Sequence, residues 1–137
     1  MKATSMFLAT LSGAIILYSL GYVFYIIILD NVDLTIKSVA KIERDPVVFP
    51  AILLMELTYA FLMAFIFSKW AGIKTISSGL IAGALIGFLI GLSVGLEYFA
   101  TTYILSINGI LLKALTFAIR FSLAGAVIAW ILGKNKE

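Results

Sequence analysis

Long apolar runs without charge alternate with short polar stretches along this chain. The first run covers about residues 6–29, and a polar stretch, 30–46, follows it. The second run covers about 47–67, and Lys69, Trp70 and Lys74 fill the connection to a third, about 76–100. A brief turn from Thr101 leads to the fourth run, about 107–132. Each run is long enough to cross a hydrocarbon core of ~30 Å at ~1.5 Å per residue. In lipid every backbone polar group needs an internal partner, so each run is predicted to be a helix. The expected fold is all-α: one transmembrane domain of four helices filling residues 1–137.

Composition supports the same class. Of 137 residues, 63% are hydrophobic and 12% charged. A soluble domain is about half apolar and a quarter charged, and a chain this short cannot hide such an excess in one core. A secreted disulfide scaffold, a soluble enzyme and a disordered tail are excluded. There is no Cys and no His, which removes thiol redox chemistry, the usual zinc sites, imidazole-held haem and histidine acid–base catalysis. No Gly-x-Ser-x-Gly elbow and no cluster of metal-binding carboxylates appears, so no enzyme activity, cofactor or metal is expected. The net charge of +3 comes from basic residues flanking the apolar runs. Without a basic stripe interleaved with aromatics, no nucleic-acid partner is expected.

The same basic residues predict orientation. Lys2, Lys69, Lys74, Lys134 and Lys136 fall on one side of the membrane, and Lys37, Lys41 and Arg44 on the other. Five against three places both termini in the cytoplasm, with a prokaryotic inner membrane as the expected location. Lys2 ahead of an overlong apolar run reads as a retained signal-anchor helix. Trp70 and Trp130 then mark the cytoplasmic ends of the helices; Tyr22, Tyr25, Tyr98 and Tyr103 mark the outer ends. The outer stretch 30–46 reads either as a short amphipathic helix or as a solvated connector. Val32, Ile36 and Val39 share one face of it, and Lys37, Lys41 and Arg44 another.

The second and fourth spans match at an offset of 58. Between residues 51–60 and 109–118, six of ten positions are identical. A weaker match joins Ser19-Leu20-Gly21 to Ser93-Val94-Gly95 at an offset of 74. The pattern predicts two tandem hairpins about a pseudo-twofold axis along the membrane normal. Chance similarity between Leu-rich helices is the competing reading.

In the third span Gly79, Gly83, Gly87, Gly91 and Gly95 recur at every fourth position. Lipid supplies no hydrophobic drive for helix association, so close backbone approach must supply it. This ladder (a glycine zipper) is expected to pack a partner helix, within the chain or in a second copy. A pore lined by glycine backbone is the sharper alternative.

Four ionisable residues lie inside the spans: Glu56, Glu97, Lys113 and Arg120. Each costs about 2.5–3.5 kcal/mol near the centre of a bilayer, so pairing is expected. Lys113 and Arg120 are seven apart and share a helix face with Thr116 between them. The repeat register puts Lys113 near the depth of Glu56. An interior cluster follows: Glu56 with Lys113, Arg120 or Glu97 as further partners, and Tyr59 adding a hydroxyl.

The run Gly79-Leu80-Ile81-Ala82-Gly83-Ala84-Leu85-Ile86-Gly87 and the Lys/Arg-bearing fourth span give a plan that resembles small four-helix prokaryotic membrane protein families of unknown function. Small multidrug transporters are similar in size, span number and a membrane glutamate, for which Glu56 stands here. Theirs lies in the first helix, whereas here the glutamate lies in the second and the first carries no charge. Two functions are expected to compete. One is transport or binding of a small ion or metabolite at the polar cluster, by a homo-oligomer. The other is an accessory or assembly subunit of a larger membrane complex, with structural charges.

Overall fold

The computed structural model describes residues 3–24, 48–101 and 106–134. Its helices are α1 (Ala3–Tyr22), α2 (Phe49–Phe65), α3 (Ile76–Thr101) and α4 (Ile107–Lys134). A π-helical turn, Ile66–Ala71, extends α2. All four, counting α2 with that turn, are long and apolar enough to cross a membrane. The chain is an all-α, four-helix integral membrane protein. The stretch 30–46, residues 25–29 of the first apolar run, Tyr25 and Tyr103 lie outside the described residues.

Local chemistry sets the helix ends. Pro50 sits in the first turn of α2, where its missing N–H leaves no bond unmade. Gly72 adopts a left-handed φ of 61° after the π-turn, a conformation only glycine takes without strain. There the Ile73 N–H donates to the Phe67 carbonyl at 3.0 Å. At the start of α3 the Ser78 N–H donates to Thr75 Oγ1 at 3.2 Å, and the Thr75 N–H donates to Ser78 Oγ at 3.3 Å. This reciprocal cap satisfies donors that have no partner within the helix.

The helices run alternately up and down. Met6 of α1 meets Ser68 beyond α2, and Gly13 faces Ala60, so these two are antiparallel. Gly13 also faces Ile128 of α4, while Gly21 faces Arg120, so α1 and α4 are antiparallel too. Gly79 against Gly125 and Gly95 against Ile110 give α3 and α4 the same relation. Consequently α2 and α4 begin at the same end of the bundle.

Helix α4 is the hub. It packs against α1, α2 and α3, whereas α3 packs chiefly on α4. Its buried face carries Phe117, Phe121, Ala124, Ile128 and Leu132, and its other side leaves Leu111, Leu115, Ile119 and Leu123 exposed. That second stripe recurs every four residues, the spacing of one helix face, and meets lipid.

The ladder of α3 faces this hub. All five of its glycines are buried. A Cβ at Gly79, Gly83 or Gly87 would collide with the carbonyl oxygen of Gly125, Phe121 or Phe117 respectively. Ser122 of α4 adds a hydrogen bond to the Leu80 carbonyl at 3.0 Å. The opposite edge of α3 exposes Ile81, Leu85 and Leu89. The ladder is therefore occupied by a helix of its own chain.

The expected twofold relation between hairpins is not what the packing follows. A long contact joins α1 to α4, but none of similar extent joins α2 to α3. Matched residues also differ in burial: Thr116 is buried and Thr58 exposed, while Ala60 is buried and Ala118 only partly so. Leu53 and Leu111, identical in the alignment of the two spans, are both exposed. Lipid-facing leucines thus contribute to the match without carrying any tertiary relation.

Candidate functional site

The polar residues inside the bundle converge where α1, α2 and α4 meet. Arg120 of α4 and Glu56 of α2 are 2% and 1% exposed. Arg120 Nη2 donates to Glu56 Oε1 at 2.8 Å and Oε2 at 2.7 Å. The same nitrogen donates to the Leu17 carbonyl of α1 at 3.0 Å. Its two hydrogens are shared among three acceptors on two helices. The result is a clasp that ties α4 to both α1 and α2.

Aromatic rings close one side of the clasp. Phe117 and Phe121 of α4 stack with centroids 5.6 Å apart, and Tyr59 of α2 meets them edge-on at 6.1 and 5.1 Å. The Arg120 guanidinium carbon lies 5.5 Å from the Phe117 centroid, within cation–π range. On the α1 side the guanidinium lies over Gly21, where a Cβ would stand 3.0 Å from Nη2.

The arrangement corrects the expected pairing: Glu56 binds Arg120, not Lys113. Side chains of a helix lean toward its N-terminus, and α2 and α4 start at the same end. Gly13 faces both Ala60 and Ile128, so Glu56 stands level with the turn after Arg120 and its side chain leans back to meet the guanidinium, while Lys113, two turns nearer the start of α4, is out of its reach. The Lys113 ammonium instead sits 5.3 Å from the Phe117 centroid. Among the described residues no carboxylate pairs with it.

Glu97 does not join the cluster. It is exposed on α3, and its backbone carbonyl accepts the Thr101 hydroxyl at 2.7 Å. Lys113 lies at the level of Gly91, so Glu97 stands about six residues, or ~9 Å, further toward the end of α3. The buried Thr116 hydroxyl donates to the Leu112 carbonyl of its own helix at 2.7 Å. Of the six candidates, the structure gathers Glu56, Arg120 and Tyr59, places Lys113 at the edge through Phe117, and leaves Glu97 and the Thr116 hydroxyl outside.

Two participants carry no sequence signal of polarity: the Leu17 carbonyl and the Gly21 Cα. An isolated glycine in an apolar helix is the only hint of a close neighbour at that point. Gly21→Ala is expected to destabilise the protein by about 1 kcal/mol, since a neighbour held in place must yield by a few tenths of an ångström. Thermal unfolding in detergent reads the loss, and an unchanged melting temperature would mean that the guanidinium is not held there.

No known family model, curated protein or solved structure matches this chain. Its chemistry must speak for it. Among the described residues no group of three or more acidic, Cys or His side chains is placed to hold a metal. The cluster is a closed ion pair with its carboxylate oxygens and the bridging nitrogen engaged. It braces three helices, with both charged side chains buried.

Proposed function

We propose that this protein is an accessory or assembly subunit of a larger membrane complex, not a carrier. The observation that carries this reading is the burial of Glu56 and Arg120, at 1% and 2% exposure, against each other and the Leu17 carbonyl. A carrier must free such groups to exchange a ligand. Here freeing one strands the other in a dry interior, which is costly. Helix α3 supports the reading from the outside. Only its glycine edge is buried, and Ile81, Leu85 and Leu89 are 71, 60 and 51% exposed. That face is apolar and exposed, as a docking face for a neighbouring helix would be.

In this reading the bundle sits in a prokaryotic inner membrane with both termini in the cytoplasm. Lys69, Trp70, Lys74, Trp130 and Lys134 gather at one end of the bundle, where the Lys134 ammonium lies 4.9 Å from the Trp130 ring. Tyr22 and Tyr98 are exposed at the other. Basic and indole side chains on the cytoplasmic side fit the charge bias of the loops.

A photoreactive residue replacing Leu85 tests the proposal in native membranes. The expected product is a protein adduct of one defined mass at Leu85, recovered in stoichiometric amount, with lipid adducts alone at Leu115 on α4. Lipid adducts alone at both positions, or adducts only to copies of the same chain, would overturn the subunit reading.

A further inference from the structure

The π-helical turn Ile66–Ala71 takes no part in the clasp or the ladder. Phe67, in its first half, is fully buried. In an α-helix the residues three and four further on share the face of Phe67, and these are Trp70 and Ala71. Both are exposed instead, Trp70 at 76%. The ring contacts show the cause. Phe65 and Trp70 meet edge-on with centroids 5.2 Å apart. Residues five apart on an α-helix lie about 140° from each other around its axis, at 3.6 residues per turn. The wider i→i+5 turn brings them nearly one above the other. It therefore swings Trp70 out of line with Phe67 and into line with Phe65.

The turn meets two demands at once. On the inside, Phe67 keeps its place in the core, and the Ser68 hydroxyl donates to the Met6 sulfur of α1 at 3.3 Å. On the outside, Phe61, Phe65 and Trp70 form a ladder of rings, with the centroids of the first pair 5.9 Å apart. Phe61 is half exposed, so the ladder runs down the lipid-facing side of α2 to its end. Lys69 and Lys74 flank the indole in the chain, and both are exposed. The end of α4 adjoins this region, since a Cβ at Gly133 would collide with the Lys74 carbonyl oxygen. There Trp130 is also exposed, with the Lys134 ammonium 4.9 Å from its ring. An indole is an apolar body with one N–H donor, and a lysine is an apolar stem with a charged tip. Both suit a boundary that is hydrocarbon on one side and wet on the other.

We propose that the π-turn makes Phe65 and Trp70 an interfacial anchor, whose partner is the boundary between the acyl chains and the headgroups of the bilayer. Short π segments recur at functional sites. Here the function is the placement of an indole that a regular α-helix would turn toward the core. The anchor does not rest on the subunit reading, because it lies on α2 and not on the exposed edge of α3.

Two measurements on the purified protein in phosphatidylcholine–phosphatidylglycerol vesicles test it. The first is the fluorescence of Trp130→Phe, in which Trp70 is the remaining tryptophan, with bromine carried at chosen depths on the acyl chains. The strongest quenching is expected from bromine near the headgroup end of the chain, and less from bromine near the methyl end or from iodide in the water. If Trp130→Phe does not fold, the difference between wild type and Trp70→Phe gives the same quantity. Strongest quenching from the methyl end, strongest quenching from iodide, or none from either lipid would overturn the proposal. The indole would then lie within the span, in water or against protein. The second measurement reads the register. The chain has no Cys, so one spin label at a time can be attached through Lys69→Cys, Trp70→Cys or Ala71→Cys. With the π-turn, collisions with oxygen are expected to be similar at the three positions. An α-helical register would shield the labels at 70 and 71 and leave the label at 69 open, and that pattern would equally overturn the proposal.

Discussion

Arg120→Met is expected to cost the bundle about 3–5 kcal/mol, because it leaves the Glu56 carboxylate buried without its cation. Glu56 is 1% exposed, so water cannot replace the lost partner without opening the core. The substitution also removes the donor that holds the Leu17 carbonyl at 3.0 Å, and with it the polar link between α4 and α1. Glu56→Gln is expected to cost a comparable amount: an amide oxygen still accepts from Arg120, but the guanidinium, which cannot lose its proton, is left buried without its anion. The double variant Glu56→Met with Arg120→Met is expected to recover most of the loss, since a buried pair exchanged for apolar groups of similar volume is often neutral or stabilising. Unfolding of the wild type, Glu56→Met, Arg120→Met and the double variant in one detergent gives the coupling directly. Additive losses would show that the two side chains are not a pair.

The fold was largely legible because lipid makes the rules strict. Charge-free runs must be helices, and the ranges expected for the second, third and fourth spans lie within a few residues of α2 with its π-turn, α3 and α4. The π-turn itself was not legible, since Ile66–Ala71 has no composition that separates it from α-helix. The charges of the cluster were legible as residue types and misread as a pair. Sequence spacing fixes depth along one helix, but it does not fix the sliding of α4 against α2 or the lean of a long side chain. Those two quantities chose Arg120 over Lys113 for Glu56. The Leu17 carbonyl and Gly21 were hidden for a different reason. A backbone acceptor exists at almost every residue, and which one meets a guanidinium depends on the α1–α4 crossing alone. The repeat misled because six identities in ten Leu-rich positions include residues that face lipid, where identity has no packing consequence.

Gly83→Ala is the second large effect expected, and its sign separates packing from propensity. On helix propensity alone, alanine is preferred to glycine by about 1 kcal/mol, so a lipid-facing site would be neutral or stabilised. At Gly83 the added Cβ would collide with the Phe121 carbonyl oxygen and stand 2.9 Å from the Phe121 carbonyl carbon and 3.1 Å from the Ser122 Cα. All three atoms are backbone of α4 and cannot turn aside as a side chain would. Helix α3 must move outward instead, and every close contact along the ladder weakens with it, including the Ser122 hydrogen bond to Leu80. A loss of about 1–3 kcal/mol is expected for the alanine, the usual range for overpacking, and more for Gly83→Leu. Gly95→Ala should be milder, because its nearest neighbour is the Ile110 Cγ2 at 3.1 Å, a side-chain methyl at the end of the ladder. Leu85→Ala, on the exposed edge, should change little. Unfolding measured in one detergent for all four variants gives the order. If Gly83→Ala is no worse than Gly95→Ala or Leu85→Ala, the ladder does not seat α3 on α4, because dispersion between close backbones is the main force available to hold a helix of this composition in lipid.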